Sequence, residues 1–206
     1  MSARRTRERE LVLATRALFD ERGMQDAPIE EIAKAVGIAR GLIYRQFSSK
    51  EELFVLTVTT YLDELAGLFD EAIEGVPDPA DRIERVTRAY AEFCLRYPAF
   101  LDCALSLMHR PATELQAIIS ESVWLRLGQG MARCLDLVAR ILRELEVDDP
   151  DYMANILWVQ TLGTMHLARL RVGVRQVAPG VPALFPVDPE RVVRTCVDAV
   201  MSVMRA

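Results

Sequence analysis

The sequence predicts an all-α protein of about nine helices. Apolar residues recur every three or four positions along most of the 206 residues, which is the spacing of one helix face. No segment alternates cleanly between apolar and polar residues, and no turn dipeptide such as Asn-Gly separates two apolar runs. Hydrophobic residues make up 51% of the chain, enough to bury a large core, so a disordered or fibrous protein is excluded.

The first quarter of the chain contains three predicted helices with recognisable ends. The first runs from about Arg4 to Arg22, and Gly23 follows as its cap. A short second helix covers Ile29–Val36, and Gly37 ends it. The third runs from about Arg40 to Phe47, before two serines that break it.

The remaining helices are longer, and a glycine, proline or aspartate stands near most of their ends. We expect six of them, at about 50–74, 79–96, 98–111, 112–145, 149–172 and 188–204. Glycines and prolines are frequent in the segment Gly173–Val187, which is therefore predicted as a loop.

The charge of the chain is uneven. Residues 1–50 contain ten Lys or Arg and seven Asp or Glu, whereas the rest contains fifteen and twenty-three, and the net charge is −5. A small basic part on an acidic body favours local binding of a polyanion and excludes a polycation that coats nucleic acid.

The composition predicts no metal, no cofactor and no membrane span. The four cysteines and two histidines lack the spacing of metal ligands. Residues 1–10 are charged and polar rather than a secretion signal, and the longest apolar stretch, Ile156–Leu170, is interrupted by Gln160, His166 and Arg169. We expect a soluble cytoplasmic protein.

The segment Ile29–Phe47 carries the functional prediction. Two short helices are joined by the three residues Gly37-Ile38-Ala39, and small Ala33 allows the second helix to cross closely over the first. The apolar spacing predicts a shared small core, which leaves an outward face of the second helix: Arg40, Gly41, Leu42, Tyr44 and Arg45. This is the arrangement of a helix-turn-helix that places one helix in the major groove, although an ordinary pair of bundle helices has a similar pattern.

A longer string strengthens the DNA-binding interpretation. It comprises Phe19, Gly23, Ile32-Ala33, Val36-Gly37-Ile38, Gly41-Leu42-Ile43-Tyr44, Phe47 and Lys50-Glu51-Glu52-Leu53. Over roughly residues 5–55 the chain resembles the N-terminal domain of TetR/AcrR-family transcriptional regulators. The rest is similar to that family only in the number and length of its helices.

The resemblance implies a homodimeric regulator with a DNA-binding domain at 1–49 and an effector-binding and dimerisation domain at 50–206. It places Arg40, Gly41 and Leu42 nearest the bases, and Tyr44 and Lys50 on phosphates. Ala39 departs from the family, which often has Ser or Thr there, and it offers no hydroxyl as a helix cap or phosphate contact.

The C-terminal part predicts a dimer interface and an effector cavity. The last two helices have apolar residues on two faces, which suits one face in the core and the other against a partner subunit. The resemblance implies a ligand cavity between helices, and the scarcity of acidic residues in this region favours an apolar or amphipathic small molecule over a polycation. Its candidate lining is aromatic or polarizable, and the same residues also suit plain core: Tyr90, Phe93, Tyr97, Trp124, Trp158 and His166.

The leading hypothesis is a repressor that a small effector releases from a palindromic operator. An architectural DNA-binding protein without an effector is the alternative, and it predicts a tightly filled C-terminal domain. An all-α enzyme has less support, because the chain contains neither a Glu-x-x-His pair for a di-iron site nor a nucleophile elbow.

Overall fold

A computed structural model describes residues 3–23 and 28–204. Within them it contains ten helices and a two-stranded sheet. The elements in chain order are α1 (Ala3–Arg22), α2 (Ile29–Val36), α3 (Arg40–Gln46), α4 (Lys50–Ile73), α5 (Pro79–Arg96), α6 (Pro98–Met108), α7 (Ala112–Ile118), α8 (Glu121–Glu144), α9 (Pro150–Leu170), β1 (Val172–Ala178), β2 (Val181–Pro186) and α10 (Pro189–Val203). The predicted all-α class is confirmed, with one added hairpin.

The chain divides into two compact units. One comprises residues 1–64 and 98–132, and the other comprises residues 65–97 and 133–206. The long helices α4 and α8 each contribute residues to both units.

In the first unit, a polar cluster around the buried Tyr61 attaches α1 to α4. Tyr61 is fully buried, and its hydroxyl donates a hydrogen bond of 2.6 Å to Asp20. The Arg16 guanidinium lies 4.2 Å from the centre of the Tyr61 ring and forms an ion pair with Glu64. Burial, together with Asp20, raises the pKa of Tyr61 well above its ordinary value, so the phenol stays protonated. These contacts hold α1 against the helix that follows α3.

The long helix predicted at 112–145 is instead two helices, α7 and α8. The break is at Ile119 and Ser120, where Ile119 is buried in extended backbone and Ser120 begins the new helix. The Ser120 carbonyl accepts the amides of Val123 and Trp124, each at 3.0 Å. Its hydroxyl donates a hydrogen bond to the buried carboxylate of Glu52, and this tertiary contact compensates for the break.

In the second unit, α10 packs against α5 and α9. Each of these three helices has an Asp-Pro start: Asp78, Asp149 and Asp188 accept a backbone amide of the first turn, and proline follows. The core between them is aliphatic and aromatic, and includes Ile83, Val86, Phe93, Leu157, Met165, Val193 and Val197.

The predicted loop at Gly173–Val187 is wrong, because this segment forms an antiparallel hairpin. Pro179 and Gly180 make its turn, and Gly180 has the positive φ of 75° that glycine adopts without strain. Gly173 is paired with Phe185, and the Phe185 ring occupies the space that a Cβ on residue 173 would need. The glycine is therefore a packing position of a strand, although it resembles a loop signal in the sequence.

The hairpin is exposed on both faces. Val174 and Leu184 face each other across the strands and are 70% and 69% exposed. The amide of Val187 donates to the carbonyl of Arg171. Amides alternate in direction along an antiparallel strand, so those of Phe185 and Ala183 also point toward β1. By that alternation, Pro182 and Pro186 lie at outward positions, where a missing amide costs no hydrogen bond within the ladder.

Candidate nucleic-acid interface

The turn between α2 and α3 is fixed by backbone hydrogen bonds. Gly37 ends α2 with φ 71° and ψ 36°, the left-handed conformation that glycine favours. Its amide donates a hydrogen bond to the carbonyl of Lys34, and the amide of Ile38 donates one to the carbonyl of Ala33. This pair of bonds is a Schellman motif, which satisfies the last carbonyls of α2 and turns the chain sharply into α3. Ala39 then precedes α3 in extended backbone and provides no side-chain cap.

A small apolar core sets which face of α3 is outward. Ile43 is 1% exposed, and it is the buried residue of α3. Ile32 and Ala33 are buried on α2, whereas Val36 and Ile38 at the turn are only partly buried. Anchoring α3 through one central isoleucine leaves Arg40, Gly41, Leu42, Tyr44 and Arg45 exposed.

The six residues predicted to bind DNA lie close along the chain on exposed surface. Five are on α3 and the sixth is the first residue of α4; all are exposed: Arg40, Gly41, Leu42, Tyr44, Arg45 and Lys50. The Arg40 guanidinium lies 5.6 Å from the centre of the Tyr44 ring. Two cations on α3 and a third at the start of α4 form a basic strip with an exposed aromatic ring.

In this structure Glu30 forms an ion pair with Arg40. An oxygen of this α2 carboxylate lies 2.5 Å from a guanidinium nitrogen of Arg40. A hydrogen bond with Tyr44, and then Glu30, raise the pKa of Arg40 above its ordinary value. The part of Glu30 could not be predicted from the sequence, because this contact depends on how α2 and α3 cross rather than on spacing within one helix.

Glu52 joins the α3–α4 turn to the start of α8. It is 6% exposed and accepts the amide of Ser48 at 2.6 Å and the Ser48 hydroxyl at 2.8 Å. Its other oxygen accepts the hydroxyl of Ser120, and its own amide donates to Ser49 at 3.1 Å. Ser49 and Glu52 have the spacing of a capping box, so the sequence contained this signal, although it could not identify Ser120 as a partner.

The hydrogen bonds to Glu52 decide its ionisation. Burial by itself would raise its pKa, but the bonds from Ser120 and Ser48 outweigh burial and lower the pKa below the ordinary carboxyl value. The charged carboxylate is thus the form that fits this site. It holds the first turn of α4, where Lys50 lies beside the positive end of the helix dipole.

The arginines near the start of α1 extend the basic surface. Arg4, Arg5, Arg7 and Arg9 are all exposed on this helix. The Gln46 side chain at the end of α3 donates a hydrogen bond of 3.4 Å to the Arg4 carbonyl. This contact, which sequence analysis also missed, places the first turn of α1 beside the end of α3.

The six candidate effector residues are divided between the two units. Trp124 lies on α8 in the first unit, while Tyr90, Phe93, Tyr97, Trp158 and His166 belong to the second. In the second unit, the Tyr90 hydroxyl interacts with the Cys94 thiol and the Trp158 indole, and the rings of Phe93 and Tyr97 are 4.8 Å apart. Nδ1 of His166 is buried and makes no hydrogen bond with any residue that the structure describes.

Thiol and metal chemistry find little support in the described part of the chain. All four cysteines are buried, and burial raises the pKa of Cys103 to about 12 and of Cys196 to about 11. Such thiols are poor nucleophiles at neutral pH. Residues 3–23 and 28–204 contain no cluster of three or more His, Cys, Asp or Glu that could hold a metal ion. Nor does any helix in these ranges have the length and hydrophobicity needed to cross a membrane.

Comparison with known proteins adds likenesses of sequence and of fold. Residues 11–56 match the family model of bacterial regulatory proteins of the tetR family. These residues include most of α1, all of α2 and α3, and the first turns of α4, and they contain all six residues predicted to bind DNA.

Two curated relatives are similar over about half of the chain. HbdR, an HTH-type transcriptional regulator from Aromatoleum sp. (strain CIB), is 30% identical over 111 residues, which are 54% of this chain and 47% of HbdR. KstR2, an HTH-type transcriptional repressor from Rhodococcus jostii (strain RHA1), is 31% identical over 121 residues, 58% of each chain. The chain therefore spans about half the length of the curated relatives it matches.

A solved structure extends the likeness of the fold to almost the full chain. The TetR-family regulator PfmR from Thermus thermophilus superposes with a TM-score of 0.61, covering 93% of this chain and 97% of PfmR at 20% identity. That identity is evidence for the fold alone. Taken together, residues 11–56 are similar to the tetR family of bacterial regulatory proteins, and the fold of the chain is similar to that of a TetR-family regulator.

Proposed function

We propose that the protein is a transcriptional regulator that binds a palindromic operator as a homodimer. Residues 1–49 would bind DNA, and residues 50–206 would bind an effector and form the dimer. The observation that carries the proposal is α3, which is anchored by Ile43 and exposes Arg40, Gly41, Leu42, Tyr44 and Arg45 beside Lys50. A helix of this kind places its first residues at base edges and its flanking cations on phosphates.

Repression is the favoured direction of control. The relative KstR2 from Rhodococcus jostii is named a repressor, and we extend that to this chain as part of the proposal. Such a protein would work at the chromosome, in the cytoplasm. We assign it no catalytic activity.

The proposed dimer uses one face of α9 and the adjoining part of α10. Along α9, apolar residues on one side are buried, whereas those on the other side are exposed: Tyr152, Ile156, Val159, Leu167 and Leu170. Gly163 lies within this exposed stripe and has no atom within 4 Å of the position of a Cβ, which leaves room for a close partner helix. An exposed apolar stripe of this length is expected to be covered by another protein surface.

The proposed effector is a small apolar or amphipathic molecule bound near Tyr90, Phe93, Tyr97, Trp158 and His166, with Trp124 as a further candidate. The buried Nδ1 of His166 supports this, because a polar ligand atom would satisfy it. The effector would act by favouring a dimer in which the two copies of α3 do not match successive major grooves, which lie about 34–36 Å apart.

The test begins with selection of bound fragments from genomic DNA by the purified protein. We expect an enriched inverted repeat. Arg40→Ala should relax the base preference within each half-site, and Arg140→Ala, at an exposed arginine of α8, should leave the preference unchanged. Recovery of no inverted repeat would refute the proposal, and enrichment by overall composition alone would favour the architectural alternative.

The proposed effector site is tested with Tyr90→Ala and Trp124→Ala. If these residues line the effector site, the small molecule that releases the wild-type protein from the operator should release the variants less well. Operator binding without effector should stay within about threefold of wild type, since neither side chain is among the residues proposed to contact DNA. A normal response in both variants would remove these two residues from the site.

A further inference from the structure

A cleft of about 260 Å³ lies within the first unit, outside the set of residues assigned above to the effector. Residues of α1, α2, α4, α6 and α7 line it. Its volume is close to the lower limit of small-molecule sites, roughly 300 Å³. It would hold a ligand of one ring or a medium-length acyl chain.

The floor of the cleft is apolar. The rings of Phe19 and Phe54 lie with their centres 6.3 Å apart at 49°, and buried Ile32 and Leu53 lie beside them. Such a surface favours hydrocarbon or an aromatic ring over water.

The polar part of the lining is cationic overall. Lys50 and Arg110 both line the cleft and are exposed, while Glu51 is the acidic residue among its lining groups. Neither cation forms an ion pair with a carboxylate in the described part of the chain. Two unengaged cations beside an apolar floor are complementary to an anion on an apolar body, because charge-assisted hydrogen bonds to a carboxylate need such donors.

We propose that this cleft binds a small amphipathic anion, with its carboxylate between Lys50 and Arg110 and its apolar part against Phe19 and Phe54. The ligand class is a carboxylate on a short hydrocarbon or single-ring body. This site is separate from the proposed effector residues of the second unit.

The position of Lys50 gives the site a regulatory consequence, which rests on the proposed function. Lys50 is one of the six residues assigned to DNA, and a carboxylate bound to it would neutralise a phosphate-binding cation. The anion and the operator therefore compete for the same ammonium group. Competition of this kind requires no movement of the protein.

Calorimetry with octanoate as the probe tests the site directly. Octanoate should bind, and 1-octanol and octylamine, which have the same tail without the negative charge, should bind at least fivefold more weakly. Arg110→Gln should weaken octanoate binding about fivefold, the effect of one exposed charge pair. Arg140→Gln is the matched control and should have no effect. Equal binding of octanoate and 1-octanol, or no change with Arg110→Gln, would overturn the site.

A second variant tests the position of the tail. Leu107 lines the cleft and is partly buried, so Leu107→Trp should fill the volume and abolish binding of octanoate. Circular dichroism and the melting temperature establish that this variant is folded. If a folded Leu107→Trp protein binds octanoate as the wild type does, the ligand lies elsewhere and the proposal is wrong.

Competition is measured with an operator fragment and saturating octanoate. The operator Kd should rise several-fold for the wild type, and at the same octanoate concentration the rise should be about fivefold smaller for Arg110→Gln, which binds octanoate about fivefold more weakly. Octanoate binding that leaves the operator Kd unchanged would overturn the competition but not the site. Failure to bind any operator would contradict the proposed function, while calorimetry would still decide the site.

Discussion

At the scale of single residues, Arg40 has a different partner in the free protein from the one proposed on DNA. Its guanidinium lies against Glu30 of α2, so binding to a base or phosphate would have to replace that ion pair. Both side chains are mostly exposed, and the cost of the exchange is correspondingly small. Glu30 is thus positioned to moderate operator affinity without contacting DNA itself.

We expect Glu30→Gln to strengthen operator binding about twofold to fivefold, because Arg40 would no longer have to break an ion pair with a carboxylate in order to bind DNA. Fluorescence anisotropy with a labelled operator at low salt measures the change. Glu31→Gln is the matched control: it removes the same charge from the neighbouring position, but its partner is Arg22, which is outside the proposed interface. Equal gains in the two variants would indicate a general effect of charge rather than release of Arg40.

We expect Glu52→Gln to destabilise the protein by about 1–3 kcal/mol at neutral pH, since it replaces a charged acceptor of several hydrogen bonds. The folded-state pKa of Glu52 is lowered, so its contribution is present above the ordinary carboxyl pKa and is lost as pH falls through the lower folded value. Urea unfolding of the wild type and the variant should therefore converge as the solution is acidified.

The neighbouring substitution Glu51→Gln serves as the control for Glu52. It removes a carboxylate that is less buried, and the stability difference from wild type should be small at every pH. If Glu52→Gln shows the same pH profile as the wild type, the hydrogen bonds do not stabilise the ionised form, and the assignment of Glu52 as an anchor fails.

At the scale of elements, the sequence predicted helices well where local signals agreed. Asp-Pro starts and Gly37 defined helix ends, and α2, α5 and α9 lie close to their predicted bounds. It failed where a tertiary contact decided the structure. The break before α8 depends on Ser120 meeting Glu52, and the hairpin depends on the Phe185 ring covering Gly173.

The candidate nucleic-acid interface was likewise predictable where local sequence signals define it and not where contacts between elements do. The exposed face of α3 was predictable because the apolar spacing of α2 and α3 fixes which side packs inward. Glu30, Gln46 and Ser120 were not, since each acts across elements that are distant in sequence or joined by a turn of uncertain angle. The effector residues were chosen by residue type, which does not determine the unit to which a helix belongs; Trp124 therefore belongs to a different unit from the other five.

We expect Leu167→Asp to dissociate the proposed dimer while leaving the subunit folded. Leu167 is 42% exposed on α9, so a charge there is tolerated in a monomer but not in a desolvated interface. Analytical ultracentrifugation over a range of concentrations measures the change. Leu125→Asp, at an exposed leucine of α8, is the control and should remain dimeric.

Val197 illustrates why the choice of position matters for that experiment. It lies on α10 but is only 3% exposed within its own unit, so Val197→Asp should unfold the subunit rather than separate two folded ones. A wild-type protein that sediments as a monomer at micromolar concentration would contradict the proposed dimer.

At the scale of the whole molecule, charge is distributed so that the proposed affinity for DNA would be confined to one part of the surface. The net charge is −5, yet residues 1–50 carry an excess of three positive charges. An acidic body repels the duplex and limits contact to the basic surface. Binding should therefore depend strongly on salt through a small number of phosphate contacts.

We expect Lys50→Gln to reduce the slope of log K against log salt by about two for a dimer, because each subunit would then neutralise one phosphate fewer. Titrations at several potassium chloride concentrations measure the slope, and affinity should fall by a similar factor for operator and unrelated DNA. Arg140→Gln should leave the slope unchanged. A fall in affinity confined to the operator would show that Lys50 reads bases instead.

The two prolines of β2 also determine how this protein can aggregate. An exposed strand edge normally accepts a further strand, and each added chain offers a new edge, which is how fibrils grow. Here Pro182 and Pro186 remove amides from the outer edge of β2, whereas the outer edge of β1 retains its donors at Val172, Val174 and Gln176. Two hairpins that met through β1 would leave only proline-bearing edges outside, so edge-to-edge growth would stop at a pair.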